Sequence, residues 1–201
     1  MIITKLVPKS NNSFLISIYV DDVYLADVSI QSVQDNNLRV LKSVTNEEID
    51  NIKQLAQIDF YYQQVLKYLA LRQRSVFEIV NYLTKKKIDQ DIIEAIVNRL
   101  KSQNLVDDAK FAEAFISDRT KLKPSSSLKI IHELKLKGIS LEIIQNLMNR
   151  EEIDNQALSN LIIRKRRISR YQDDKKLMQY LISQGFSYYD VKKHLKTQPD
   201  D

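Results

Sequence analysis

Cysteine is absent from this 201-residue chain, and glycine occurs only twice. Without thiols the protein has no disulfide, iron–sulfur cluster, thiolate zinc site or cysteine nucleophile. Walker and Rossmann phosphate loops need closely spaced glycines, because the backbone approaches phosphate where a Cβ does not fit. Gly138 and Gly185 lie far apart in the sequence, so both loop types are excluded. Two glycines and three prolines also favour a chain dominated by helices.

Long apolar runs are missing as well. No stretch approaches the roughly 18 uninterrupted apolar residues that a membrane helix needs. The first residues do not show a charged leader followed by an apolar run, so we expect no signal peptide. A composition of 43% apolar and 28% charged residues is that of a folded protein. We therefore expect a soluble protein of the cytoplasm that does not bind a membrane.

Charge is distributed unevenly along the chain. Residues 1–59 contain five basic and eight acidic residues, a net charge of −3, whereas residues 60–201 have a net charge of +8. A basic body favours a polyanion or an acidic protein surface as the binding partner.

The amino-terminal residues have the composition of strands. Ser13–Val20 and Val23–Ala26 are rich in β-branched and aromatic residues, and they flank the acidic pair Asp21-Asp22. This pattern predicts a β-hairpin. The segment Leu38–Leu41 predicts a third, short strand.

Helical spacing of apolar residues begins after this region and continues to Lys196. Thr45 and Glu48 have the spacing of a capping box, in which each side chain binds a free amide at the start of a helix. The first helix is therefore predicted to start here.

The helical region repeats itself at shifts of 51 and then 47 residues. Apolar residues coincide at four positions in the three copies: Ile79, Ile130 and Leu177; Leu83, Leu134 and Leu181; Ile88, Ile139 and Phe186; Ile93, Ile144 and Val191. Chance similarity among amphipathic helices is the alternative explanation. The polar and glycine positions that also coincide make a true repeat the better one.

Good N-cap residues coincide at Asp89, Ser140 and Ser187. Both glycines of the chain share a second position, which Lys87 occupies in the first copy. A glycine just after a helix adopts positive φ and lets the last carbonyls find donors. The same conformation costs a lysine about 1 kcal/mol relative to glycine.

A further helix precedes each of these helix pairs. Asp107 and Asp154 lie 47 residues apart, and Asp59 lies within one residue of the equivalent position, so each is predicted to cap such a helix. Each module is then helix, helix, short turn, helix. The predicted fold is all-α: a tandem repeat of three three-helix modules in an elongated curved array, with a small N-terminal β-hairpin extension. The predicted boundaries are 1–44 for the extension, 45–58 for a connecting helix, and 59–105, 106–152 and 153–201 for the repeats.

Three segments resemble the signature of the RecX family, the bacterial regulators of the recombinase RecA. They are Leu69–Ile79, Leu105–Ala112 and Glu133–Ile139, the last of which matches a leucine–basic–glycine turn. The hairpin is similar to an amino-terminal extension of some members, in which the turn often reads Asp-Gly rather than Asp21-Asp22. The similarity is strong over residues 60–150 and weaker in the third repeat.

The resemblance implies tandem three-helix modules that bind the RecA filament, within its helical groove and near the DNA. It implies negative regulation of the ATPase, strand-exchange and co-protease activities of RecA in DNA repair, recombination and the SOS response. It also implies that the protein is not an enzyme. The expected partners are the RecA filament and, weakly and without sequence preference, single- and double-stranded DNA. We expect a monomer.

Residues of the signature also have structural explanations. Ser75 and Glu78 have capping-box spacing, and Asp107 or Asp108 is predicted to cap the next helix. The core of the second repeat is predicted to contain Phe111, Ala112 and Phe115. For the arginines at positions 72 and 74, binding of the last helical carbonyls and contact with a partner are equally consistent with the sequence.

Catalytic and metal-binding interpretations have little support. His132 and His194 lie in different repeats and lack an obvious third ligand. Adjacent carboxylates on one helix point about 100° apart, so the acidic pairs of this chain do not form a two-metal site. We expect no enzymatic activity, no metal and no cofactor.

Basic clusters are the candidate binding residues. The run Arg164–Arg170 has five basic residues in seven, and it is either a solubilising helix end or a contact with DNA phosphates or an acidic surface of RecA. Lys121 and Lys123 flank a polar loop. The predicted RecA- and DNA-binding set is Arg72, Arg74, Lys85, Lys86, Lys87, Arg119, Lys121, Lys123, Lys135, Lys137, Arg164, Lys165, Arg166, Arg167 and Arg170.

Tyrosines near the third cluster allow two interpretations. Tyr171, Tyr188 and Tyr189 have rings that stack on bases or pack within the repeat, and the sequence favours packing for Tyr188 and Tyr189 because they start a helix. The alternative function is that of an autonomous DNA-binding regulator, since compact three-helix units resemble helix-turn-helix folds.

Overall fold

The structure, a computed structural model, describes residues 1–9 and 12–197 and forms two compact units. Unit 1 contains Met1–Gln73 and Ile79–Leu105, and unit 2 contains Arg74–Glu78 and Val106–Asp201. The described chain is mostly helical, with one small antiparallel sheet at the amino terminus. The curved arrangement of the three repeats stays a prediction.

The sheet has three strands, β1 (Ile3–Lys9), β2 (Asn12–Val20) and β3 (Val23–Ser29), in the order β1-β2-β3. The predicted hairpin is confirmed as β2 and β3. Asp21 and Asp22 form its turn with φ of 47° and 63°. Two consecutive positive φ angles match the right-handed twist of the flanking strands.

The prediction of a third strand at Leu38–Leu41 is wrong. The third strand is β1, an edge strand, where Pro8 is tolerated because its missing N–H is not needed for a second neighbour. Leu41 has φ of 68°, which interrupts extended backbone, and its N–H donates to the carbonyl of Ile3 at 2.8 Å.

Ten α-helices follow in the described residues. They are α1 (Ile30–Asp35), α2 (Asn46–Ala70), α3 (Val76–Thr84), α4 (Gln90–Ser102), α5 (Asp108–Lys121), α6 (Ser127–Leu136), α7 (Leu141–Leu147), α8 (Arg150–Arg166), α9 (Asp174–Ser183) and α10 (Tyr188–Thr197). A 3₁₀ turn lies at Ser169–Tyr171. Helix α1 was not predicted.

Helix α2 runs continuously through the predicted connecting helix and the first helix of repeat 1. Its capping box is confirmed, with the N–H of Glu48 donating to Thr45 Oγ1 at 3.2 Å and the N–H of Thr45 donating to Glu48 Oε2 at 2.9 Å. Nothing in α2 interrupts the helix at the expected boundary. The proposed domain boundaries therefore remain a prediction at this point.

Two of the three predicted aspartate caps are wrong. Asp107 does cap α5, and it accepts from the N–H groups of Ala109 and Lys110. Asp59 lies inside α2, and Asp154 lies inside α8, whose N-cap is Asn149. Both of these aspartates instead bind groups far away in the sequence.

The repeat itself is confirmed by burial and backbone conformation. Eleven of the twelve coincident apolar residues are buried, and Ile88 is half-buried. The shared turn position has positive φ in all three copies, at 59° for Lys87, 74° for Gly138 and 92° for Gly185. Asp89, Ser140 and Ser187 each precede a helix, as predicted.

Separate apolar clusters support each part of the chain. The sheet and the first half of α2 share one core, which includes Ile18, Val28 and Ile52. In unit 2, one cluster contains the predicted core residues Phe111 and Ala112, with Phe115 packed against it. The third repeat has its own cluster.

Within unit 2, the residues at the start of α3 contact the second repeat. The residues at the start of α6 contact the third repeat in the same way. Ser75 Oγ donates to the carbonyl of Lys137 at 2.7 Å, and Ser126 Oγ donates to that of Gln184 at 3.0 Å. These two carbonyls precede the two glycines. Since Ser75 also caps α3, its predicted capping box with Glu78 is confirmed.

Aspartates of the first helices complete these contacts. Asp108 accepts from the N–H of Val76 at 2.8 Å, and Asp154 accepts from the N–H of Ser127 at 2.6 Å. Asp59 accepts in the same way from the N–H of Ser29, the N-cap of α1, at 2.6 Å. The amino-terminal sheet is therefore joined to α2 by the same kind of contact that joins successive repeats in unit 2.

Candidate functional site

The lysines at positions 85–87 follow the carboxyl end of α3 in unit 1, where cations are favoured by the helix dipole. All three are exposed. The ammonium of Lys86 lies 5.1 Å from the ring centre of Tyr82, which stacks on Tyr68 at 4.5 Å. These lysines have an environment that permits contact with a partner.

The two arginines of the family signature differ in exposure. Arg72 is exposed, and its Nη1 donates to the carbonyl of Gln73 at 2.8 Å. Arg74 is half-buried in unit 2. Gln73 lies beyond the end of α2, so this is not one of the last helical carbonyls, and the choice between the two alternatives stays open for Arg72.

Two predicted binding residues of the second repeat make internal contacts. Arg119 forms an ion pair with Glu133 at 2.6 Å, and its guanidinium lies 4.7 Å from the ring centre of Phe115. Lys137 pairs with Glu78 at 3.2 Å. By contrast, the lysines at 121, 123 and 135 are exposed, so they are better placed to meet a polyanion.

The basic run 164–170 has two kinds of residue. Arg164 donates from Nη1 to the carbonyl of Leu122 at 2.5 Å and from Nη2 to that of Lys121 at 2.8 Å. Arg166 donates to the carbonyl of Gln172 at 2.8 Å and forms an ion pair with Asp174. These two arginines therefore join helices within unit 2, which the sequence did not indicate.

The other basic residues of the run lie over aromatic rings or are exposed to solvent. The Lys165 ammonium lies 4.4 Å from the ring centre of Tyr180 and 5.3 Å from that of Tyr171. The two rings are 5.0 Å apart, so the packing role of Tyr171 is confirmed. Arg170 lies over Tyr171, and Arg167 is exposed.

The preference for packing at Tyr188 and Tyr189 is wrong. Their exposed fractions are 55% and 74%, because the first turn of α10 presents both rings to solvent while Val191 enters the core. Lys192 and Lys196 are exposed on the same helix and were missed. Lysine occupies these two equivalent positions in the third repeat but not in the first two, and this difference is visible in the sequence.

The described residues contain no group of three His, Cys, Asp or Glu side chains arranged to hold a metal ion. His132 is exposed, and His194 Nδ1 lies 3.0 Å from the carbonyl of Asp190 in its own helix. Asp173 caps α9, and the backbone N–H of Lys176 holds the pKa of its carboxyl below the ordinary value. No helix in residues 1–9 and 12–197 is long and apolar enough to cross a bilayer.

Arg164→Gln is expected to destabilise unit 2 by about 1 kcal/mol, because two charge-assisted hydrogen bonds to carbonyls are lost at an exposed position. Arg167→Gln removes the same charge and is expected to change stability by less than about 0.5 kcal/mol. Urea denaturation followed by circular dichroism measures both. Equal losses would show that Arg164 contributes charge alone.

Comparison with known proteins agrees with this architecture. The model of the first three-helix domain of RecX matches residues 62–100, and that of the second matches residues 107–148. A crystal structure of a regulatory protein RecX superposes with a TM-score of 0.76 at 22% identity, covering 98% of this chain and 99% of that one. This likeness shows the same fold.

Relatives in sequence extend over nearly the whole chain. Regulatory protein RecX of Bacillus pumilus (strain SAFR-032) is 29% identical over 98% of this chain and 78% of its own length. The RecX of Bacillus licheniformis is 27% identical over 92% of this chain and 73% of its own length. With two matched RecX domains in the regions that carry the repeat, the chain belongs to the RecX family of regulatory proteins.

Proposed function

We propose that this protein restrains RecA by binding along the RecA–DNA filament. Membership of the RecX family supports a regulatory role, and the observation that carries the proposal is the exposed basic set of unit 2. We define that set as the lysines at 121, 123 and 135 together with Arg167, all of them exposed residues of the predicted binding set. Exposed cations of this kind suit DNA phosphates or an acidic protein surface.

In this role the protein acts by binding and catalyses no reaction itself. The described residues include separate apolar clusters, and acidic groups such as Asp107, Asp108 and Asp154 cap a helix or join repeats. Regulation then arises from binding energy: a protein that binds one state of the filament shifts the filament toward that state. Slower ATP turnover and weaker co-protease activity follow if the state bound is less active.

Addition of the protein to preformed RecA filaments on single-stranded DNA is expected to lower the RecA ATPase rate. The purified protein alone is expected to hydrolyse no ATP and cut no DNA. The variant with glutamine at 121, 123, 135 and 167 is expected to need a several-fold higher concentration for half inhibition, because each lost contact weakens a polyelectrolyte interaction. Unchanged RecA turnover at saturating protein contradicts the proposal.

A second function is favoured by one feature, the helix–turn–helix formed by α9, the Gly185 turn and α10. An autonomous DNA-binding regulator uses the second helix of such a pair to read duplex DNA. Strong preference for one sequence in naked duplex would support this alternative. Weak binding without preference, together with inhibition of RecA, supports filament regulation.

A further inference from the structure

The last helix of each repeat has the same buried face and a different outer face. Ile93, Ile144 and Val191 enter the three cores at equivalent positions. Four outer positions are exposed in every copy. Their occupants are Gln90, Asp91, Glu94 and Asn98 for α4, Leu141, Glu142 and Gln145 for α7 together with Asn149 just beyond its end, and Tyr188, Tyr189, Lys192 and Lys196 for α10.

The fold does not require the outer face of α10. The first two copies have net charges of −2 and −1 at the four positions and still form a helix after the turn, whereas the third has a charge of +2. The helix dipole stabilises lysines in the last turns of a helix, but this effect does not account for two exposed aromatic rings in the first turn of α10. Tyr189 is 74% exposed.

We propose that the outer face of α10 binds single-stranded DNA. This proposal rests on the proposed function, and it places the DNA contact of that function on α10. Tyr189 stacks on an unpaired base, and the lysines at 192 and 196 meet phosphates. The ammonium of Lys192 lies 5.6 Å from the ring centre of Tyr188, so positive charge and aromatic surface are adjacent. This combination is the one that sequence-independent single-strand binders use.

Spacing and charge agree with this occupant. Lys196 is seven positions after Tyr189, about 10 Å along a helix, which is the axial length of about three stacked nucleotides. Lys193 is exposed next to Lys192 and adds a third cation. Asp190, the acidic residue of this helix, accepts a hydrogen bond from the Ser187 hydroxyl at 2.5 Å, and its backbone N–H donates to Ser187 Oγ at 3.1 Å. Its carboxylate therefore belongs to the helix start.

Single strands suit this face better than duplex. The outer positions of α10 lack the asparagine or glutamine that reads adenine in the major groove. An exposed ring stacks only on a base that is not already stacked between its neighbours. The expected binding is therefore independent of sequence and stronger for single strands.

The test uses the full chain, without RecA, titrated into fluorescently labelled oligothymidine at several salt concentrations. Lys192→Gln/Lys193→Gln/Lys196→Gln is expected to lower the slope of log affinity against log salt by about 2, at about 0.7 for each phosphate contact. Tyr189→Ala is expected to leave the slope unchanged and to weaken binding about tenfold, the scale of one stacked base. The same substitution should have little effect on duplex binding.

Lys5→Gln/Lys53→Gln/Lys101→Gln is the matched control, because it removes three exposed lysine charges from unit 1 and leaves α10 intact. Equal loss in this control, or an unchanged slope and affinity in the α10 variant with a native circular dichroism spectrum, overturns the site. Equal effects of Tyr189→Ala on single strands and duplex overturn the stacking contact. Because these titrations contain no RecA, failure of the unmodified protein to inhibit RecA would contradict the proposed function and leave the DNA site on α10 standing. An α10 variant that loses RecA inhibition but binds DNA normally would indicate that this face contacts protein, and that result also overturns the DNA site.

Discussion

Gly138→Val is expected to lower the free energy of unfolding by about 3 kcal/mol. The backbone at Gly138 has φ of 74°, which a β-branched residue resists, and strain of this kind costs about 1–3 kcal/mol. A side chain here also overlaps Phe77, since a Cβ added to Gly138 would lie within 2.5 Å of the Phe77 Cγ. Rotation of the ring does not remove the overlap, because the Phe77 Cβ itself would lie closer still to the added atom and the start of α3 is held by Ser75.

Lys87→Val is the matched control, because Lys87 occupies the equivalent position with φ of 59° and already accommodates a side chain. The expected loss there is about 1 kcal/mol, and Lys87→Gly is expected to stabilise the protein by up to about 1 kcal/mol. Urea denaturation by circular dichroism measures all three. Phe77→Ala should recover part of the loss in Gly138→Val; equal losses at 87 and 138 would show that Phe77 does not matter.

The repeat was predictable because its signals are local. Buried residues such as Leu83 recur at helical spacing, and a cap or a positive-φ turn depends on a few neighbouring residues. Even the lysine at position 87 adopts the conformation expected from the glycines of the other copies. Those features required no knowledge of which elements meet in space.

Aspartates show where local signals end. Asp107 and Asp154 look equivalent in the sequence, yet Asp107 caps its own helix and Asp154 binds the N–H of Ser127, 27 residues earlier. The choice depends on which amide the tertiary fold brings close. Strand β1 was not predicted for a related reason. It is a half-exposed edge strand that contains a proline, so its composition does not indicate a strand, and its extended conformation depends on pairing with β2.

Charge patterns located the basic residues but did not reveal their roles. Arg164 and Arg167 are three residues apart in one run, and only the position of the α5 carboxyl end makes the first a structural residue. In the same way, Tyr171 packs and Tyr189 is exposed, although both lie within three residues of a cation in the sequence. Partner contact is therefore better sought among side chains that the fold leaves exposed.

Asp59→Ala is expected to destabilise unit 1 by about 3 kcal/mol. The side chain of Asp59 is 2% exposed, and it forms an ion pair with Arg99 at 2.6 Å. Its second oxygen accepts from the N–H of Ser29 at 2.6 Å, which fixes the end of β3 and the start of α1. Removal of the carboxylate leaves a partly buried guanidinium and a buried N–H without their acceptor, and losses of this type are among the largest for single substitutions.

Asp50→Ala is the control from the same helix, because Asp50 is 75% exposed and pairs only locally with Lys53 at 3.0 Å. Its expected effect is below about 0.5 kcal/mol. Asp59→Asn keeps an acceptor for Ser29 and loses the charge, so it should fall between the two. Hydrogen exchange identifies the affected part: protection should fall in β3 and α1 for Asp59→Ala, whereas the third repeat, which has a separate apolar cluster, keeps its protection. A loss confined to α2, with unchanged protection in β3 and α1, would show instead that Asp59 supports α2 alone, and that the sheet is held to this helix by apolar contacts such as those of Ile18 and Ile52.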